Sequence, residues 1–260
     1  MKIDRVILSS NNNPLYYHFW KPLSKVYVEK FGIVPTLIWL GTEAELIELG
    51  LQDDYYGEII IAKANDKYPI PFQTTWALFY HTLFYPNDVC LTIGIDQVPL
   101  SRMFFDMVKD FPDTDYSMLI ADAYMPNHWT INGSASPTAY HIAKGSTFND
   151  VYMFEDTFEQ EIEKICNAGV KAFWEDTAGR WGLDETYSSM KLREYKGQIN
   201  SLNNFGLLCE RRIECERHKE TPFDIDRLKA GWYSESHLCR PFTNHTEYIT
   251  KMFNSISDYK

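Results

Sequence analysis

The stretch Leu91–Ser101, LTIGIDQVPLS, decides how this chain is read. It opens as an apolar run, passes one glycine, Gly94, and meets one acid, Asp96, before Pro99-Leu100-Ser101. An apolar run without polar alternation is the pattern of a strand covered on both faces, as in a parallel sheet. In open α/β sheets, ligands gather at the carboxyl ends of such strands. Asp96 stands at such an end. Its carboxylate suits a hard divalent cation, which takes oxygen ligands. It also suits a plain cap on the turn that follows. The stretch alone leaves both readings open.

Outward from it, the pattern repeats. Upstream, Arg5–Ser10 (RVILSS) is a strand followed by the polar turn Asn11-Asn12-Asn13-Pro14. Leu15–Phe31 has helical spacing, with an interruption expected near Pro22. Pro35–Gly41 and Gly57–Ala62 read as strands, with a short helix at Glu43–Leu49 between them. Pro71–Phe84 is an aromatic helix, and Val89–Ile95 is the fourth strand. Downstream, Asp115–Ala123 and Ala139–Ala143 read as strands, and Phe158–Ala168 and Glu185–Tyr195 as helices. Beyond them lie helical patches of mixed charge, such as Cys209–Lys219. Strands alternating with helices predict an α/β domain with a mostly parallel central sheet flanked by helices. No repeat or low-complexity linker divides the chain. The expectation is one domain over 1–260, with a core over 1–195 and a C-terminal helical extension over 196–260.

Composition sets the limits. The 260 residues are 45% hydrophobic and 23% charged, which suits a globular protein with a substantial core. Aromatic residues reach 15% and offer stacking surfaces as well as core volume. A formal charge of −11 argues against a nucleic-acid partner, which needs a basic face. The apolar stretch near Val6 is too short for a signal-peptide core, and no run approaches the ~18 residues of a membrane helix. The 5 cysteines are widely spaced and fit free thiols. Two glycosylation sequons, at Asn132 and Asn244, read as chance without a secretory signal. The expected setting is the cytoplasm of a cell or infected host.

Further candidates lie downstream. In Trp181–Leu192, WGLDETYSSMKL, Asp184 and Glu185 open a helix. They either satisfy the helix dipole or act as a general base in a pocket walled by Trp181. Glu175 and Asp176 compete for that role. In Ser236–Phe242, His237 suits a metal ligand and Arg240 a phosphate, although a lone histidine is commonly structural. Lys144 and Gly145 offer an anion contact and close backbone approach, which a strand and turn explain equally well. There is no zinc-site spacing, P-loop, G-x-G-x-x-G or G-x-S-x-G.

The order of these elements resembles the GT-A glycosyltransferases, in particular the small domains of large DNA viruses and bacteria. The family's D-x-D motif follows the central strand and binds a divalent metal on a sugar nucleotide. Here the matching residues are Gly94-Ile95-Asp96, with glycine in place of the first acid. The resemblance implies Asp96 and His237 as ligands of Mn²⁺ or Mg²⁺, and Asp184 or Glu185 as the base of an inverting, hexosyltransferase-like reaction. It implies Asn11, Asn12 and Asn13 at the nucleotide, and Lys144 and Gly145 near the acceptor and donor sugar. The implied partners are a UDP- or GDP-sugar and a glycan or other hydroxyl acceptor. Alternatives are a retaining glycosyltransferase, which the stereochemistry of the product separates from an inverting one, a nucleotidyltransferase, which the unbasic loop SSNNNP disfavours, and a non-catalytic sugar or nucleotide-binding module, which Gly94 favours.

Overall fold

The computed structural model describes residues 1–119, 137–170, 182–202, 211–215 and 219–259. Its strands are β1 (Arg5–Ser10), β2 (Val34–Leu40), β3 (Glu58–Ala62), β4 (Val89–Thr92), β5 (Gln97–Pro99), β6 (Tyr116–Met118), β7 (His141–Lys144), β8 (Ile199–Ser201), β9 (Ile213–Glu214) and β10 (Glu235–His237). The helices are α1 (Trp20–Val26), α2 (Glu43–Glu48), α3 (Ile70–Tyr80), α4 (Met103–Val108), α5 (Gly145–Tyr152), α6 (Phe158–Asn167), α7 (Leu183–Glu194), α8 (Ile225–Lys229) and α9 (Thr246–Asn254).

Seven strands form the main sheet in the order β3-β2-β1-β4-β7-β6-β8. Pairs β3–β2, β2–β1, β1–β4 and β6–β8 are parallel. Strand β7 runs antiparallel between β4 and β6. Side chains alternate across a strand, so each strand feeds two cores. Leu8, Trp39 and Leu91 face the core shared with Trp20, Phe104 and α9. Ile7, Ile38 and Cys90 face the other, built around Trp76, Phe79, Tyr116 and Tyr152. Covering both faces explains why the strand sequences show no polar alternation.

Several local expectations change. Pro22 does not interrupt the first helical stretch, because it sits in the first turn of α1, where its missing N–H has no carbonyl to serve. Strand β4 ends at Thr92, not Ile95. A turn closes there, with the Gln97 N–H donating to the Gly94 carbonyl at 3.0 Å. Asp96 therefore belongs to this turn, beyond the strand. Within Cys209–Lys219, the described Ile213–Glu214 is a strand rather than a helix.

The C-terminal segment is not only helical. Strand β10 pairs antiparallel with β5 and parallel with β9, making a second sheet of three strands. This sheet lays the C-terminal segment against the turn after β4. Among the described residues, no helix is long and apolar enough to cross a membrane.

Candidate functional site

The carboxyl edge of the parallel strands collects the polar groups. Strand β1 ends into Asn11–Asn13, whose side chains order the loop they occupy. Asn11 Oδ1 accepts from the Asn13 N–H at 2.9 Å, and Asn13 Oδ1 accepts from the Leu15 N–H at 3.0 Å. Asn11 Nδ2 donates to Thr74 Oγ1, and Asn12 Nδ2 to Glu45 Oε1. Glu45 also closes the capping box of α2 with Thr42. Nearby, the buried Trp39 Nε1 has no hydrogen-bond partner among the described residues, and it lies where a side chain on Gly41 would begin.

One strand along, the turn presents Asp96. Register pairing of His237 with Gln97, and donation by the Leu238 N–H to the Asp96 carbonyl at 2.7 Å, bring the C-terminal strand alongside it. His237 Nε2 lies 3.1 Å from Asp96 Oδ2, and Arg240 Nη1 lies 3.3 Å from the same oxygen. The other face of the imidazole is held by Glu214, with Nδ1 to Oε1 at 2.8 Å. Arg212 braces Glu214 in turn, with Nε to Oε2 at 2.7 Å. Arg240 also donates to the Tyr16 hydroxyl and covers its ring, tying this cluster to the segment after Asn13.

The electrostatics follow from this packing. Burial pulls the His237 imidazole down, but the Asp96 and Glu214 carboxylates outweigh it and push it up to about 9. Burial pushes the Asp96 carboxyl up, and His237 and Arg240 overcome that and hold it below its ordinary value. The Asp96 carboxylate thus faces two cations.

The second group is on α7. This helix of 12 residues is ~18 Å long and feeds β8, whose first residue pairs with the first residue of β6. Strand β8 starts at the amino edge of the sheet, so α7 descends from the carboxyl edge and its first turn lies toward that edge. Asp184 is buried in the first turn of α7, where the backbone groups around it oppose the rise that burial gives its carboxyl. Glu185 is half-buried beside it. Burial raises both carboxyls above their ordinary values, and the Asp184 charge raises Glu185 further.

Lys144 and Gly145 are not brought to this edge. Antiparallel pairing sets Lys144 opposite Val89, the first residue of β4, so both lie at the amino edge. Lys144 faces Asp113 at 3.7 Å. Gly145 is glycine because a Cβ there would collide with the carbonyls of Thr82 and Tyr85. Trp181, Glu175 and Asp176 lie outside the described residues. Four participants escaped the sequence reading: Gln97, Glu214, Arg212 and Tyr16. Only adjacency to Asp96 hinted at Gln97, and nothing local marked the other three.

The residues present fit a divalent cation sparingly. Asp96 and His237 supply an oxygen and a nitrogen within reach of one point, and Glu214 on the outer imidazole nitrogen is the partner a metal-bound histidine requires. Among the described residues, no group of three His, Cys, Asp or Glu side chains converges as a metal centre. Mg²⁺-type sites commonly use one or two carboxylates and take the remaining oxygens from substrate phosphates and water. A cradle remains at Gly94, where a Cβ would lie 3.1 Å from Asp96 Oδ1 and 3.0 Å from Gln97 Oε1.

Comparison with known proteins adds the architecture. No family model matches the sequence, and no curated protein matches it. The galactosyltransferase LgtC, solved in complex with donor and acceptor sugar analogs, superposes with a TM-score of 0.52 over 98% of this chain and 97% of its own, at 12% identity. The fold is GT-A-like. Two further solved structures align less well. The glycosyltransferase GlyE of Streptococcus pneumoniae TIGR4 gives a TM-score of 0.47 at 12% identity over 79% of this chain. This chain spans 47% of GlyE's length. The bifunctional WbbM gives 0.44 at 9% identity, over 96% of this chain and 50% of its own. The Asp96 turn and the Asn11–Asn13 loop thus sit at the carboxyl edge of a GT-A-like sheet, the edge where α/β folds hold their ligands.

Proposed function

We propose that this chain transfers a sugar from a nucleoside-diphosphate sugar to an acceptor hydroxyl, with inversion at the anomeric carbon. The observation that carries the reading is the Asp96–His237–Arg240 cluster beside the Asn11–Asn13 loop, on one edge of a GT-A-like fold. The likeness to LgtC, which was solved with donor and acceptor sugar analogs, supports it. A uridine or guanosine diphosphate sugar is the donor class. Its base and ribose lie along the Asn11–Asn13 loop, near the unpartnered Trp39 Nε1. Its diphosphate meets the positive charge of Arg240. Asp96 and His237 are the residues that would hold Mn²⁺ or Mg²⁺, which supplies relief of the charge on the leaving diphosphate when bound.

Glu185 is the better base of the two acids. Asp184 is buried and opposed by the backbone around it, whereas Glu185 is half-buried and the Asp184 charge raises it beyond what burial does. A carboxylate tuned upward takes a proton more readily near neutral pH. Glu185 accepts the proton of the acceptor hydroxyl as its oxygen bonds to the anomeric carbon. The bond from that carbon to the diphosphate breaks, and its electron pair leaves with the phosphate oxygen. Asp184 positions Glu185 and sets its charge.

A thermal-shift screen of UDP- and GDP-sugars, with and without Mn²⁺, tests the binding half, since a ligand of the folded state raises the melting temperature. Donor hydrolysis without acceptor tests the chemistry, and the anomeric configuration of the product tests inversion. The glycine at position 94 favours a second reading, a nucleotide-sugar-binding module without turnover. Donor binding with no hydrolysis or transfer of any donor would establish the module and end the enzyme reading.

A further inference from the structure

The missing first acid of the D-x-D pattern leaves a question of chemistry: what fills its place? The backbone does not demand glycine at position 94, because Gly94 is absent from the residues with positive φ. What crowds a side chain there is the Gln97 carboxamide, which would have to give by a few tenths of an ångström. A Cβ on Gly94 would lie 3.0 Å from Gln97 Oε1 and 3.5 Å from Gln97 Cδ, with Asp96 Oδ1 at 3.1 Å. Gln97 Oε1 and Asp96 Oδ1 therefore both border the space that a side chain on residue 94 would enter. Its only described contact is the Gly94 N–H, at a long 3.3 Å. An amide oxygen has two lone pairs, so a second acceptor position remains.

The placement is enforced by the fold. Gln97 closes the turn that holds Asp96, and it is the first residue of β5, directly across from His237. One turn and one strand pair thus deliver a carboxylate, an imidazole and an amide oxygen to the same corner.

We infer that Gln97 Oε1 is the neutral oxygen ligand that replaces the first D-x-D acid, so that Asp96, Gln97 and His237 together form the protein's share of a divalent-cation site. Amide and carbonyl oxygens are ordinary ligands for hard cations. The exchange of a carboxylate for an amide removes one negative charge. The cation then depends on the phosphates of the bound nucleotide for its charge balance, and cation and nucleoside diphosphate bind together rather than separately. This inference rests on the functional reading above.

The test is Mn²⁺ binding, read from the electron paramagnetic resonance signal of free Mn²⁺, with UDP and GDP as probes and no turnover required. The full chain is expected to bind Mn²⁺ at least tenfold more tightly with a nucleoside diphosphate present than without it. Gln97→Leu is expected to weaken that binding on the order of tenfold or more, a scale that even partners of metal ligands reach. Gln97→Glu should tighten Mn²⁺ binding in the absence of nucleotide. The double variant Gly94→Asp/Gln97→Leu should regain the affinity, because the emptied cradle then receives the acid. Melting temperatures of all variants separate loss of the ligand from loss of the fold. Equal Mn²⁺ affinity for the parent and Gln97→Leu, both folded, would overturn the inference and leave the functional reading intact. Nucleotide binding that ignores Mn²⁺ altogether would overturn it too. Failure of the parent to bind either nucleotide, with or without Mn²⁺, would instead remove the functional reading beneath it.

Discussion

The two edges of the same sheet carry two charged clusters of different construction. At the amino edge, Arg5 lies 2.8 Å from Glu58 and 3.1 Å from Asp88, donates to Thr36 and covers the Tyr85 ring. One cation there is saturated by two carboxylates, a hydroxyl and an aromatic face, and those partners clip the starts of β1, β3 and β4 together. At the carboxyl edge the charges alternate along a longer chain: Arg240 and His237 meet Asp96, and Glu214 joins His237 to Arg212. Those groups come from the turn after β4 and from the second sheet, so they join two sheets rather than the strands of one. The lesson is that an ion-pair cluster is read by its edge and by the elements it joins, not by its presence.

The largest expected effect breaks the comparison if it fails. Asp96→Ala should remove Mn²⁺-dependent binding of a nucleoside diphosphate by calorimetry, while Glu58→Gln at the other edge leaves it unchanged. Retained Mn²⁺-dependent affinity in Asp96→Ala would take Asp96 out of the site. Next, Glu185→Gln should lower transfer by roughly 10²–10⁴-fold with donor affinity intact, the usual share of a general base. Transfer that survives in Glu185→Gln and vanishes in Asp184→Asn would exchange the two roles.

The interior sharpens the contrast through pH. Burial drives the His81 and His141 imidazoles down to about 4, against weaker opposing bonds to the carbonyls of Ala77 and Pro137. Both stay neutral in the fold and charge more readily in the unfolded chain, so their contribution is present above the unfolded value near 6.5 and is lost as pH falls from there through about 4. The loss is about 3 kcal/mol apiece at most. Urea unfolding at pH 7 and pH 4.5 measures it, and a His141→Gln variant should show a flatter profile. An unchanged slope would mean that His141 is not held neutral. The smallest effect belongs to the amino edge again. Glu58 is 47% exposed at its side chain, so Glu58→Gln should cost about 1 kcal/mol or less by the same unfolding measurement.

Much of the fold was legible locally. The apolar runs at Arg5–Ser10, Val34–Leu40 and Val89–Thr92 have no polar alternation because both of their faces are covered, and that signal lies within each run. Their alternation with helices implied a mostly parallel sheet, and the acid after the fourth run lies at its carboxyl edge, as the order of elements implied. Lys144 shows where local reading stops. HIAK has the same pattern whichever way the strand runs, and its antiparallel direction moved Lys144 and Gly145 to the far edge.

The sequence by itself therefore determined the first strand runs, the α/β class and the place of an acid just beyond the fourth run, because periodicity and punctuation are properties of neighbouring residues. Only the tertiary structure decided the company Asp96 keeps. His237 reaches it across 141 positions through the pairing of β10 with β5, Glu214 arrives on a third strand, and Arg240 joins it to Tyr16. Gln97 was adjacent all along, but its meaning depended on the direction in which the turn aimed its carboxamide. Such contacts are set by strand register and by the path of the chain, which no local pattern carries.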